Sequence, residues 1–274
     1  MDLFSELNSL MVEYRFRPSS KMAQFFTVDE ELIDELISLA SLNKKDRVLD
    51  IGAGTGFITR KLSEKCGKVT ASEIDPTLCR ILREKMPGNV EIVEGSFIGK
   101  DWNGFSKIVS YPPQNICGEI VAELLMNQFT KAVLLLGEDF SERLISEPGF
   151  SDYSAITILL QYLCKADVKR SNISSKFFFP KPNSFHSIVV LERKKEKIKM
   201  DNQMFYLFLK SLFRYRNKNL CNALENVQKE SGKKLKIGKK EIENELKNEK
   251  LANKKLNLLS VKEFAELFNR IYRG

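Results

Sequence analysis

The sequence predicts an α/β fold, with a mostly parallel sheet carrying helices on both faces and a small all-helical domain at the C-terminal end. Two observations predict it. Through the first 195 residues, short runs rich in Val, Ile and Leu alternate with stretches of helical period, the pattern of strands joined by crossover helices. Beyond Arg193-Lys194-Lys195-Glu196-Lys197, a charged linker with no core potential, the apolar residues keep a helical period and no strand-like alternation returns. The domains are therefore expected at 1–195 and 196–274. A chain of 274 residues is long enough for one large domain and a small one, and 43% hydrophobic content supplies a core.

Taken in order, Phe4, Leu7, Leu10 and Met11 stand at helical spacing ahead of the turn that carries Pro18. Arg15, Arg17 and Lys21 form a basic cluster interleaved with aromatics, which suits RNA contact and exposed cations beside core aromatics equally. Residues 30–41 place Leu32, Ile33, Leu36, Ile37 and Ala40 on one helical face. Arg47–Ile51 reads as a buried strand running into Gly52-Ala53-Gly54-Thr55-Gly56, and Phe57–Lys65 as the helix after it. Residues 68–75, 90–96, 107–110 and 130–136 follow as strands, with helices at 76–85, 118–126 and 153–163. Two late strands, 175–179 and 187–191, flank Pro180-Lys181-Pro182. In the C-terminal part, Phe205, Phe208, Leu209, Leu212, Phe213, Leu220, Ala223 and Leu224 repeat helically, and Ser260-Val261-Lys262-Glu263 is a capping box opening a last helix.

The glycine turn carries the first chemical signal. A dinucleotide fingerprint needs a glycine at its sixth place, where this chain has Phe57. An acidic residue followed by G-x-G-x-G resembles instead the first motif of S-adenosylmethionine (SAM) methyltransferases, a Rossmann-like fold. Gly52, Gly54 and Gly56 would let the methionine part of SAM lie against bare backbone. Asp50 would meet its ammonium group, directly or through water. Glu73, at the end of the next strand, is placed to accept both ribose hydroxyls. In a sheet of this kind the ligand lies beyond the C-terminal ends of the strands, and every motif named here falls there.

The whole set resembles the KsgA-type rRNA adenine dimethyltransferases and their Erm relatives, over nearly the full length. Besides the two cofactor motifs, Gln24-Phe25-Phe26-Thr27-Val28-Asp29 is similar to the family's motif ahead of the first sheet strand. Gly137–Leu144 with Glu147-Pro148-Gly149 is similar to its helix after the fifth strand, and Phe179–Ser187 to its F-x-P-x-P-x-V-x-S segment. Phe213-Arg214-Tyr215-Arg216-Asn217-Lys218 resembles the basic opening of its helical domain. Three positions depart from the pattern: Ser110-Tyr111-Pro112-Pro113 stands for Asn-Leu-Pro-Tyr, Phe25 for Asn or His, and Ser96 for Asp.

The resemblance implies a SAM-dependent rRNA N-methyltransferase that acts on the small-subunit precursor, with N6,N6-dimethylation of adenine as the first reading. Ser-x-Pro-Pro is also reminiscent of cytosine amino-methyltransferases, so cytosine N4 is the rival target. An assembly factor that has kept the fold without turnover is the alternative of another class. The implied cofactor set is Gln24, Phe26, Asp50, Gly52, Gly54, Gly56, Glu73, Ile74, Ser96 and Ser110. At the target base, Ser110 Oγ and the Tyr111 carbonyl are the candidate acceptors for the amine, Pro112 with Pro113 fixes the backbone, and Tyr111 or Phe179 is the stacking platform.

Charge and cysteines bound the rest. Of the net +8, residues 193–274 hold 22 Lys+Arg against 10 Asp+Glu, or +12, leaving 8 − 12 = −4 for residues 1–192. A split this sharp points to a C-terminal module facing a polyanion, here RNA. The five cysteines are odd in number and lack C-x-x-C spacing, so they are expected as reduced core residues of a cytoplasmic protein. With His186 as the single histidine, no metal site is expected. No apolar run is long enough to span a membrane, the N-terminus lacks the layout of a signal peptide, and a monomer is expected.

Overall fold

The computed structural model describes residues 2–100, 102–195, 200–235 and 249–272. The chain forms two compact units, Met1–Ser141 with Ala166–Arg193, and Glu142–Lys165 with Lys194–Gly274. Composition placed a single boundary at 195. The second unit instead also takes residues 142–165, and the reason lies in the helix Ala155–Leu163. Its sequence, AITILLQYL, is apolar nearly all round and seven of its nine residues are buried, which suits the middle of a helical core better than one face of a sheet. The stretch expected as a linker lies partly outside the described residues.

In the first unit the elements are α1 (Leu3–Glu13), β1 (Phe26–Thr27), α2 (Glu30–Ala40), β2 (Arg47–Ile51), α3 (Phe57–Lys65), β3 (Lys68–Glu73), α4 (Pro76–Lys85), β4 (Val90–Glu94), β5 (Lys107–Ser110), α5 (Cys117–Met126) and β6 (Lys131–Gly137). After α6 (Glu138–Ile145) and α7 (Ala155–Leu163) come β7 (Cys164–Ile173), β8 (Phe178–Phe179) and β9 (His186–Arg193). Caps start the helices where the sequence offers them. Asp29 accepts from Leu32 N, and Asp75 accepts from Thr77 N and Leu78 N just ahead of Pro76.

Seven strands form one sheet in the order β4-β3-β2-β5-β6-β9-β7. The pairs from β4 to β6 are parallel, and β9 runs antiparallel to β6. The chain works outward from β2 to β4, then returns to β5 on the other side, so β2 and β5 meet at the switch point where such folds open a crevice. Their pairing stops at Val48↔Lys107 and Leu49↔Ile108, one residue short of Asp50. Past that point the Ser110 hydroxyl bridges the strands, donating to Ile51 O at 2.6 Å and accepting from Ile51 N at 3.3 Å.

Two features differ from the sequence reading. The edge strand β7 carries no apolar strand signal, because CKADVKRSNI is polar along most of its length. The expected strand 175–179 shortens to β8, which leaves the main sheet and pairs with β1 through Phe26↔Phe179 and Thr27↔Phe178.

In the second unit, α7 is joined by α8 (Asn202–Phe213), α9 (Leu220–Leu235), α10 (Glu249–Ala252) and α11 (Val261–Tyr272). Aromatics fill its core: Phe205 and Phe208 lie 5.1 and 5.6 Å from Phe268, and Phe205 lies 5.5 Å from Tyr162. The expected capping box forms in both directions. Ser260 Oγ accepts from Glu263 N at 3.2 Å, and Glu263 Oε2 accepts from Ser260 N at 2.7 Å. Among the described residues no helix is long and apolar enough to cross a membrane.

Candidate active site

The crevice at the switch point is a cleft of about 630 Å³, part of it open to solvent, lined by four pieces of the first unit. They are residues 22–27, the turn 52–55, Glu73 with Ile74, and the loop 111–113, with Phe57, Ile58 and Leu78 behind them. The turn leaves β2 with its glycines at positive φ, +75° at Gly52 and +60° at Gly54. Both are also crowded. A Cβ on Gly54 would fall 3.0 Å from the Phe26 ring, and one on Gly52 would fall 2.7 Å from Pro113 Cδ. The first glycine thus seats the loop after β5, and the second seats Phe26 of β1. Gly56 works elsewhere: the place of its Cβ is filled by Leu82 and Met86, so it serves packing behind the cleft.

Two carboxylates stand behind this turn. Glu73 is held by three backbone N–H groups, Gly54 N on Oε2 at 2.8 Å and Ile74 N and Asp75 N on Oε1 at 2.8 and 3.0 Å. Burial raises its pKa, and the three hydrogen bonds oppose the rise. Asp50 is buried deeper. Its Oδ2 accepts from Thr59 Oγ1 at 2.7 Å, while Oδ1 has no partner. Burial pushes its pKa from 3.8 up to about 7, against the Thr59 hydrogen bond and with help from the charge of Glu73. A buried carboxylate oxygen without a partner costs free energy unless a donor arrives. A cradle floored by backbone, backed by an unsatisfied carboxylate and walled by Phe26 and the half-exposed Ile74, fits SAM.

The loop after β5 makes the other wall, and its polar atoms are largely claimed. Ser110 Oγ is spent on Ile51, the Pro112 carbonyl accepts from Gln114 Nε2 at 2.8 Å, and the Pro113 carbonyl accepts from Ile116 N at 3.2 Å. The Tyr111 carbonyl receives no hydrogen bond among the described residues. The Tyr111 ring lies in the core beside Phe178, and its hydroxyl meets His186 Nε2 at 3.1 Å. Burial drives the phenol pKa upward and pulls His186 down to about 4, so both are neutral at physiological pH.

A profile of the ribosomal RNA adenine dimethylase family matches residues 15–270. The chain belongs to this family. A probable ribosomal RNA small subunit methyltransferase A from Thermococcus gammatolerans is 34% identical over 265 residues, which span 95% of this chain and 92% of that protein. One with the same description from Methanosarcina mazei is 32% identical, with 97% of each chain covered. The crystal structure of a dimethyladenosine transferase from Plasmodium falciparum aligns with a TM-score of 0.73 at 26% identity, covering 88% of this chain and 95% of that one. The 23S rRNA methyltransferase ErmE shares the fold, with a TM-score of 0.63 at 23% identity over 90% of this chain and 99% of that one.

Within this member of the family, the cleft gathers Gln24, Phe26, Gly52, Gly54, Glu73, Ile74, Tyr111 and Pro112 of the residues expected from sequence. Gln24 is engaged at both ends, accepting from Ser19 N and donating to Asp75 Oδ2, so it ties down the rim of the cleft. Five expected residues, Phe179 among them, are not brought to the lining. Ser110 is fully buried as the bridge between β2 and β5, which removes its hydroxyl from the candidate acceptors. Ser96 lies on the exposed surface with its Oγ accepting from Ile98 N. Gly56 packs on α4, and Asp50 lies beneath the turn. As platforms, the Tyr111 ring is core, and Phe179 packs edge-on to Phe4 at 5.5 Å behind β1. Residues outside the expected site set also line the cleft, among them Met22, Phe25, Thr55 and Leu78, together with Pro113, which was expected only to fix the backbone. Two of these, Phe25 and Pro113, were legible as departures from the family pattern.

Proposed function

We propose that this chain transfers methyl groups from SAM to N6 of adenine in small-subunit ribosomal RNA, as a cytoplasmic monomer. One observation carries the reading: a single cleft joins the cofactor cradle of Gly52, Gly54 and Glu73 to the loop that offers the unclaimed Tyr111 carbonyl. SAM, when bound, supplies an electrophilic methyl group on its sulfonium. The protein's part is to position the amine. An exocyclic amine is a poor nucleophile because its lone pair is delocalised into the base. A carbonyl accepting one of its N–H groups favours the pyramidal nitrogen and aims the lone pair, and held geometry can supply most of the barrier reduction. The Tyr111 carbonyl takes that role. Glu73 accepts a ribose hydroxyl at Oε2, the oxygen on which its backbone donors leave a lone pair open. Asp50 receives the ammonium group, directly or through water.

The base has to leave its stack to reach the cleft, so the pocket needs flat faces. Phe25 and Pro113 supply them, in place of Tyr111 and Phe179. The second unit, which holds most of the positive charge, supplies RNA affinity. The test is to incubate the protein with labelled SAM and undermethylated small subunits, then digest the RNA to nucleosides. Label in N6-methylated adenosine is the expected result. Label confined to N4-methylated cytidine would move the target to cytosine, and SAM binding with no labelled nucleoside would favour an assembly factor.

A further inference from the structure

The loop after β5 is held from inside by groups that the proposed reaction does not itself use. His186 opens β9, where it pairs with Gly137 of β6. Two links run from this rung to the loop. Gly137 N donates to Gln114 Oε1 at 2.7 Å, and Gln114 Nε2 donates to the Pro112 carbonyl at 2.8 Å. His186 Nε2 meets the Tyr111 hydroxyl at 3.1 Å. The two links bracket the Tyr111 carbonyl, one through its own side chain and one through the next carbonyl. On the cofactor side, the Pro113 ring is seated against Gly52.

The polar link is costly to build. Tyr111 is 8% exposed and His186 0%, and Phe178 stacks 4.6 Å from the imidazole and 5.2 Å from the phenol. Two apolar side chains would fill the same space without burying a hydroxyl and a ring nitrogen. What a buried polar pair adds to packing is a fixed relative orientation. Phe178 extends the assembly to the other wall, because β8 pairs with β1, whose Phe26 lines the cleft.

We infer that His186 is a positioning residue for methyl transfer: through the Tyr111 hydroxyl and the shared contact with Phe178 it fixes the loop whose Tyr111 carbonyl receives the target amine. The inference rests on the reading of that carbonyl given above. It concerns geometry at the reacting amine, so it separates the rate of transfer from the affinity for SAM.

The experiment uses the full chain with Tyr111→Phe, His186→Phe, the double variant and His186→Gln, which keeps a polar partner for the phenol. SAM affinity is measured by calorimetry, and single-turnover transfer to undermethylated small subunits is measured with both partners saturating. Tyr111→Phe removes one oxygen and keeps the ring, so it tests the link without a cavity. Each Phe variant should slow transfer about tenfold or more, with the SAM dissociation constant within about twofold of the wild type. The double variant should be no slower than the slower single, and His186→Gln should recover most of the rate. Transfer within twofold of wild type in Tyr111→Phe, losses that multiply in the double variant, or a rate loss matched by lost SAM affinity would each overturn the inference. Those outcomes leave the proposed function standing if the wild type labels adenosine. A wild type that labels no base would instead remove that function and this inference together.

Discussion

Substituting Asp50 by Asn tests the electrostatics of the cofactor cradle directly. In the folded protein the Asp50 pKa is pushed from 3.8 up to about 7, chiefly by burial. The fold therefore binds the proton more tightly than the unfolded chain does, and stability from this group falls as pH rises. The contribution is fully present below pH 4 and is lost progressively between about pH 4 and pH 7. At about 1.36 kcal/mol per pK unit, the full penalty at pH 8 is on the order of 4 kcal/mol. Asp50→Asn has no charge to bury, so the variant without SAM should be more stable than the wild type at pH 8 by up to that amount, and the two should converge near pH 4. Urea unfolding at a series of pH values measures the difference. SAM binding should run the other way. The wild type should bind more tightly as pH rises through 7 and the carboxylate forms, whereas Asp50→Asn should bind about ten- to a hundredfold more weakly at pH 8, the worth of a charge-assisted hydrogen bond of about 1.5–3 kcal/mol. Parallel stability curves for the two proteins from pH 4 to pH 8 would refute the burial argument, and equal SAM affinity at pH 8 would remove Asp50 from the cofactor site.

Two further perturbations follow from the same geometry. Gly54→Val places a branched side chain at φ +60°, where even a Cβ would lie 3.0 Å from the Phe26 ring. Calorimetry should find SAM binding abolished in the folded variant, and unchanged affinity would displace the cradle. For the second unit, the affinity for small-subunit RNA should fall linearly with the logarithm of salt concentration. Neutralising the exposed Lys218, Lys229 and Lys255 to Gln should lower the slope by about 0.9 for each lysine that contacts a phosphate. An unaltered slope would mean that none of the three lysines meets a phosphate.

Cutting the chain at 195 would have been the natural way to separate chemistry from RNA binding. The structure assigns residues 142–165 to the second unit, so that cut would strip α7 of α8 and α11, the helices that bury it.

The sequence by itself determined the parts whose signal is local. The β2 turn needs glycine at positive φ, so Gly52 and Gly54 announce it. The Asp75–Pro76 cap and the Ser260–Glu263 box are each written within a few residues, because the groups they bond are only a few positions away. The alternation of apolar runs and helical periods fixed the α/β class for the same reason. The tertiary structure alone decided which atoms face the cleft. Ser110 reads as a substrate ligand until β2 and β5 diverge and Ile51, 59 positions away, takes its hydroxyl. Tyr111 reads as a stacking platform until His186, 75 positions away, takes its phenol into the core. Phe179 reads the same way until β8 pairs with β1 and turns it toward Phe4. A polar or aromatic side chain advertises what it can bond, but its partner is chosen by the packing of segments far apart in the chain, and that choice is not encoded in any one of them.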